Sequence, residues 1–358
     1  MTGSPPLLVT PGLGGADGVS QVAALLAATL AGDGPAEVWS LGTPGRVPPA
    51  ASARLTITDA RGSATRLLAM GAGEILRRRP AILVAHLHLL PVVAPAVLAS
   101  RPVAVYLHGV EAWRPQPWWR RRLLRGVRVL MANSSWTAAR FLAAHPEFAG
   151  RELTICPPAL ATTAHPLPVP PDFAHRDPLV VIVGRMWTEE RYKGHDQLLD
   201  AWPEVRRRVP GARLLVIGDG DDRPRLEARS RAEGLAEAVS FTGALTDAAR
   251  DAAYRSARVF AMPSTGEGFG LVFLEAMRHG LPCVAAPGAA EEIVLHGRTG
   301  LIVSPGDREG LASALADLLG DPGSCARLGE AGALRVSAEF TVARFEAAVR
   351  GALASMTC

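Results

Sequence analysis

The sequence predicts an α/β chain folded as two domains, each built on a parallel sheet. Three observations lead there. Short apolar runs of four or five residues alternate with helix-patterned stretches along most of the chain. With 358 residues, 48% of them hydrophobic and 20% charged, the chain is long enough to bury two cores. The charge is also divided unevenly. Residues 1–170 hold 16 arginines against 8 acidic residues, and the remainder holds 22 Lys+Arg against 26 acidic residues. A basic half beside an acidic half argues for two domains with different partners.

In chain order, Leu7–Thr10 reads as a strand, Pro11–Gly18 as a glycine loop and Val19–Leu30 as a helix. The glycines fall at 12, 14, 15 and 18, which is not the GxGxxG dinucleotide fingerprint. Further strands are expected at Glu37–Leu41, Ala81–Ala85, Val103–Leu107 and Val127–Met131. His108-Gly109 ends one of these, which makes His108 a candidate for ligand contact. His86 and His88 follow another strand and read as ordinary core or surface histidines. Cys156–Phe173 holds six prolines and reads as the inter-domain linker.

The second sheet begins at Leu179–Val183, which runs into Gly184-Arg185 and, after a short loop, Lys193-Gly194. His195–Arg208 follows with helical spacing. Lys193 is the chain's one lysine among 38 Lys+Arg. An ammonium is a compact point charge and a guanidinium a wide planar fork, so a lone lysine marks a tight site for an anion such as phosphate. Arg185 and Lys193 share a loop at the carboxyl end of a strand, where open α/β sheets bind ligands. Leu214–Ile217 and Val239–Thr242 are further strands, the second followed by Gly243-Ala244-Leu245. Asp219-Gly220-Asp221 has a metal-binding form, but a glycine turn after a strand explains it. Arg258–Met262 is a strand that enters Pro263–Gly270 and then a helix. Glycine lets a backbone approach a ligand, and a helix N-terminus offers free amides to phosphate. Glu267 precedes that helix and Glu275 lies inside it, leaving two carboxylates for sugar hydroxyls. Strands at Pro282–Ala286 and Gly300–Val303 and a helix at Arg308–Leu319 complete the sheet.

The segment Glu267–Ala276, with glutamates at both 267 and 275, resembles the paired-glutamate motif of retaining family 4 glycosyltransferases. Gly184-Arg185-Met186 followed by Tyr192-Lys193-Gly194 is similar to that family's diphosphate-binding arginine and lysine. The resemblance implies the GT-B fold, two facing Rossmann-like domains with a cleft between them. The domains would span 1–168, joined by a helix at about 340–358, and 174–338. It implies transfer of a hexosyl group from GDP-mannose or a UDP-hexose to a glycan or lipid-linked acceptor in bacterial polysaccharide or glycolipid synthesis. It carries Arg185, Lys193, Glu267 and His108 over as catalytic. The donor would be held by Gly184, Arg185, Lys193, Glu267, Gly268, Phe269, Gly270, Leu271 and Glu275, with Gly14 and Gly15 against the sugar diphosphate. Gly243 and Leu245 would lie near the base. No metal or other cofactor is expected. An epimerase or phosphorylase of the same architecture, or an NAD-dependent oxidoreductase built on Gly12–Gly18, remains an alternative.

Trp113–Arg125 gathers three tryptophans and five arginines into 13 residues. Tryptophan favours membrane interfaces and arginine clusters attract anionic lipid, so Trp118, Trp119, Arg120, Arg121 and Arg122 are candidates for peripheral membrane contact. No positive region precedes an apolar run at the amino terminus, so no secretory signal is expected. Cys156, Cys283, Cys325 and Cys358 lack metal-ligand spacing and read as reduced thiols. The expected location is the cytoplasm, at the inner face of the plasma membrane. No nucleic-acid motif is found.

Overall fold

Runs such as Leu7–Thr10 and Val103–Leu107 lack polar alternation, which commits both faces of a strand to burial and favours parallel sheets covered by helices. The structure is a computed structural model that describes residues 4–15, 17–45, 47, 49–78, 80–160 and 172–356. Two parallel sheets form among them.

The first sheet has seven strands: β1 (Leu7–Thr10), β2 (Ala36–Ser40), β3 (Leu55–Asp59), β4 (Ile82–Val84), β5 (Val103–Leu107), β6 (Val129–Ala132) and β7 (Leu153–Ile155). Their order is β3-β2-β1-β4-β5-β6-β7. The second has β8 (Leu179–Val183), β9 (Arg213–Ile217), β10 (Val239–Gly243), β11 (Val259–Met262), β12 (Cys283–Ala285) and β13 (Gly300–Ile302), in the order β10-β9-β8-β11-β12-β13. In each sheet the order reverses beside its first strand, between β1 and β4 and between β8 and β11. Ligands of open α/β sheets settle beyond the carboxyl ends of the strands at such reversals.

The chain divides into two units, Met1–Thr162 with Phe340–Cys358, and Thr163–Glu339. The expected domain boundary and most of the linker fall at residues 161–171, outside the described residues. The last helix, Val342–Ala354, belongs with the first unit. There Arg128 donates to the Met356 carbonyl at 3.0 Å, and Arg350 pairs with Asp33 at 3.0 Å. The first core centres on β1, β4 and β5, with Phe141 and Phe148 buried against it. In the second, Trp202, Tyr254, Phe260 and Phe273 are fully enclosed.

Among the elements outside the sequence reading, three show why it fell short. β3 alternates Leu, Thr, Ile and Thr on an edge and has no apolar run to reveal it. β7 is only three residues long. The helix Pro322–Glu339 is small-residue rich, with few large apolar side chains to set a period.

Candidate active site

In the second unit the switch-point loops after β8 and β11 meet. The β8 strand hands over at Gly184, whose N–H donates to the Ile217 carbonyl at 3.0 Å. Arg185 projects outward, and Glu190 grips it: Arg185 Nε donates to Glu190 Oε2 at 3.1 Å and Nη2 donates to Oε1. Two turns of 3-10 helix, Thr188–Lys193, then lead to Gly194 at φ 100° and the helix His195–Arg208. Gly194 has to be glycine twice over, since a Cβ there would lie 2.7 Å from Pro263.

Lys193 Nζ donates to Glu267 Oε1 at 2.7 Å, and each side chain is only 14% exposed. Burial works against the ammonium, but the Glu267 carboxylate outweighs it and holds the Lys193 pKa above its ordinary value. Ser264 Oγ also donates to Glu267 Oε1, at 3.3 Å. The two loops are stitched by Thr265 N–H to the Tyr192 carbonyl at 3.0 Å. The Tyr192 ring packs on Gly266, where a Cβ would come within 2.5 Å.

The helix Leu271–Arg278 starts at Gly270, φ 99°, with no side-chain cap, so its first turn keeps amides to offer. Phe269 is buried beside it, and Gly268 belongs to the same loop. Glu275 lies within the helix, its side chain 12% exposed. Its Oε2 accepts from Tyr254 Oη at 2.9 Å and from Arg250 Nε at 3.1 Å. Burial raises the Glu275 pKa, against the pull of Arg250 and the Tyr254 hydroxyl. Gly243 closes β10 at φ 74° and accepts from Gly218 N–H at 3.0 Å, with Leu245 half-buried just beyond. Thus Arg185, Lys193 and Glu267 lie on two joined loops, and Glu275 sits on the helix that follows.

The first unit holds the other candidates. Gly14, φ 66°, donates to the Ser20 carbonyl at 2.8 Å, and Gly15 follows on the same loop. Asp17 accepts from Ser20 N–H at 3.0 Å and caps the helix Gly18–Gly32. His108 follows β5. Its Nε2 donates to the Ala85 carbonyl at 2.6 Å, since a carbonyl can only accept. Glu111 accepts from the backbone N–H of His108 at 2.6 Å and of Gly109 at 3.2 Å. The His86 ring stacks on His108 with centroids 5.8 Å apart. Burial lowers the pKa of His108, and burial brings His86 to about 4, in both cases against Glu111. Burial alone would raise the Glu111 pKa, but His108, His86 and the backbone N–H groups outweigh it and keep the carboxyl low.

Sequence reasoning did not single out Glu190, Glu111 or the Arg250–Tyr254 pair, and it read His86, which stacks on His108, as an ordinary core or surface histidine. The i,i+4 spacing of Arg250 and Tyr254 was the available signal for a shared partner. The segment Trp118–Gly126 is a helix with Trp118 72% exposed and Trp119 36% exposed. Arg120 lies over the Trp119 ring at 4.9 Å, and Arg140 lies over Trp113 at 5.2 Å and Trp136 at 5.7 Å. Among the described residues, no helix is long and apolar enough to cross a membrane.

Residues 177–321 match the family Glycosyl transferases group 1. A GDP-mannose-dependent alpha-(1-6)-phosphatidylinositol monomannoside mannosyltransferase of Mycobacterium tuberculosis is 35% identical over 265 residues, 68% of this chain. The match covers 66% of that relative, just under two thirds of its length. A GDP-mannose-dependent monoacylated alpha-(1-6)-phosphatidylinositol monomannoside mannosyltransferase of Corynebacterium glutamicum is 31% identical over 261 residues, 68% of this chain and 67% of the relative. The chain belongs to the group 1 glycosyl transferases. Among solved structures, sucrose-phosphate synthase of Thermosynechococcus elongatus superposes with a TM-score of 0.77 at 20% identity, over 97% of this chain and 98% of that one. HepE of Anabaena, solved with UDP and glucose, gives 0.75 at 20% identity, over 98% and 100%. The fold is therefore GT-B, with two Rossmann-like units.

Proposed function

We propose that this protein transfers mannose from GDP-mannose to a lipid-linked acceptor, with retention of anomeric configuration and without a metal. The observation that carries the reading is the Lys193–Glu267 pair, joined at 2.7 Å on two loops of the switch point. It sets a largely enclosed cation beside a carboxylate, which offers charge to a diphosphate and an acceptor to sugar hydroxyls. The donor's phosphates would draw Arg185 from Glu190 and Lys193 from Glu267. Glu267 is then free to accept from sugar hydroxyls, and Glu275, steadied by Tyr254 and Arg250, binds the ribose.

As the anomeric C–O bond breaks, its electron pair passes to the leaving phosphate. Arg185 and Lys193 stabilise that charge where it develops. The acceptor hydroxyl attacks the same face, and its proton passes to the leaving phosphate oxygen, so no protein nucleophile is needed. His108 is neutral with its proton on Nε2, so its other ring nitrogen accepts from a sugar or acceptor hydroxyl. We assign the donor to the second unit and the acceptor to the basic first unit. Trp118, Trp119 and Arg120–Arg122 supply the contact with an anionic membrane surface, at the inner face of the plasma membrane.

The choice of GDP-mannose rests on the relatives' names. The test is a thermal-shift screen against GDP-, UDP- and ADP-sugars, followed by turnover with a phosphatidylinositol mannoside. Stabilisation by GDP-mannose, with mannose transfer that survives EDTA, is the expected result. Stabilisation by a UDP-sugar alone would overturn the donor, and activity lost to EDTA and restored by manganese would overturn the metal-free reading.

A further inference from the structure

The turn Gly218–Asp222, which contains Asp219-Gly220-Asp221, packs on the loop that follows β8. Met186 N–H donates to the Asp219 carbonyl at 2.9 Å, and Asp222 N–H donates back to the Met186 carbonyl at 2.9 Å. Thr188 N–H donates to Asp221 Oδ1 at 2.8 Å. A Cβ on Gly220 would lie 2.1 Å from the Met186 carbonyl oxygen, so glycine is what allows the segments to touch.

Asp222 holds the centre of this junction, with its side chain 4% exposed. Arg191 forks onto it from one side, Nε at 3.1 Å and Nη2 at 2.7 Å. Arg225 forks onto it from the other, Nε at 2.8 Å and Nη2 at 2.6 Å. Arg225 also grips Asp196, on the helix that follows Lys193, at 2.9 and 2.7 Å. Two bidentate guanidiniums on one carboxylate fix direction as well as distance. Arg191 is two residues before Lys193, and Asp196 three after it. Both flanks of the lysine are thus tied to the same buried carboxylate.

We propose that Asp222 is a positioning residue of this site. Through Arg191 and Arg225 it sets the place of the Lys193 backbone, and so aims the ammonium at the diphosphate. The proposal rests on the reading above that Lys193 meets a donor phosphate. Hydrogen bonds from Arg225 and Arg191 outweigh burial and hold the Asp222 carboxyl at about 2, so the clamp stays charged at working pH.

The test is a double-mutant cycle. Asp222→Asn and Arg191→Lys are each made in the wild type and in Lys193→Ala, and kcat and donor KM are measured on protein shown to be folded by its melting curve. Displacing a catalytic group by about 1 Å costs on the order of 10²-fold, so each single change should lower kcat by roughly 10- to 100-fold, more than it raises KM. In Lys193→Ala the same changes should cost less than about threefold, because the group they aim is gone. An equal factor in both backgrounds would overturn the proposal and leave Asp222 a structural residue. Where Asp222→Asn fails to fold, Arg191→Lys carries the test, because the Arg191 side chain is 49% exposed and its charge is kept. A wild type that turns over no nucleotide sugar would sink the donor reading instead. Stabilisation by inorganic diphosphate then serves as the readout: its loss in Arg191→Lys supports the clamp, and its full retention overturns it.

Discussion

The two units place their candidate groups at equivalent positions, beyond the carboxyl ends of parallel strands, but with different electrostatics. The second unit sets cations against carboxylates: Arg185 with Glu190 and Lys193 with Glu267. The first sets two low-pKa imidazoles, His86 and His108, around one half-buried carboxylate, Glu111. Fixed charge suits a diphosphate whose negative charge grows in the transition state. Neutral imidazoles suit hydroxyl groups, which need an acceptor rather than a counter-ion. A chain that uses arginine almost everywhere keeps its lysine on the charged side of this divide.

The largest expected effect is at that lysine. Lys193→Ala should lower kcat by roughly 10²- to 10³-fold, as loss of a charge-stabilising donor does. Lys193→Arg keeps the charge but widens it. It would have to share a 14%-exposed position with Glu267 at 2.7 Å, so we expect a loss of about 10²-fold, again in kcat. Steady-state kinetics of Lys193→Arg beside Arg185→Lys decide this. A near-normal kcat for Lys193→Arg would show that the site needs only charge, and the contrast between the units would lose its sharpest point.

How far the sequence carried depended on whether a feature was local. Apolar runs marked the inner strands, because a strand buried on both faces leaves a continuous signature. The edge strand β3 alternates and leaves none. Lys193, Glu267 and Glu275 stood out through rarity and spacing. Their partners did not. Glu190, Glu111 and Asp222 look like ordinary surface acids in a chain with 34 acidic residues. They acquire meaning only when a loop folds back: Glu111 onto two backbone amides, Asp222 between two arginines 34 residues apart in sequence (191 and 225). Likewise His86 and His108 are 22 residues apart and become neighbours only because β4 and β5 are paired.

The basic surface of the first unit offers the next test. Near an anionic membrane each arginine contributes about 1 kcal/mol, so reversing Arg120, Arg121 and Arg122 to glutamate should reduce vesicle partitioning by more than roughly 10²-fold. GDP-mannose binding, assigned to the other unit, should be unaffected. Equal co-sedimentation of variant and wild type with anionic vesicles would return these arginines to a solvated helix face.

Within the first unit, His108→Ala should cost about tenfold in kcat/KM, the scale of one hydrogen bond to a neutral partner. That is well below the lysine's effect if the units differ as described. A loss of the same size as that of Lys193→Ala would show that His108 meets developing charge, and would erase the distinction.

The smallest effect concerns acid stability, and here the two units should behave alike. Each contains a histidine whose pKa lies at about 4, the half-buried His86 in the first and the buried His195 in the second. For His86, burial is the main cause, opposed by Glu111 and aided by His108, His88 and Arg120. For His195, burial leads, Lys193 and Arg225 add to it, and Asp196 and Asp222 oppose. In the unfolded chain both rings titrate near the ordinary 6.5. Between 6.5 and 4 the unfolded chain therefore binds protons that the folded protein refuses, and stability falls as pH falls. The contribution is fully present above 6.5 and is exhausted once pH passes below about 4. Asp222, with its pKa at about 2, adds to the slope only towards the acid end of this window and below it, where the unfolded carboxyl, at the ordinary 3.8, takes up a proton that the folded one refuses. We expect Tm to drop by roughly a few degrees per histidine across the window. His195→Asn removes one titrating ring and should flatten the part of the melting profile that belongs to the second unit. A slope unchanged by that substitution would show that acid acts elsewhere, and that the buried ring beside the lysine has no part in it.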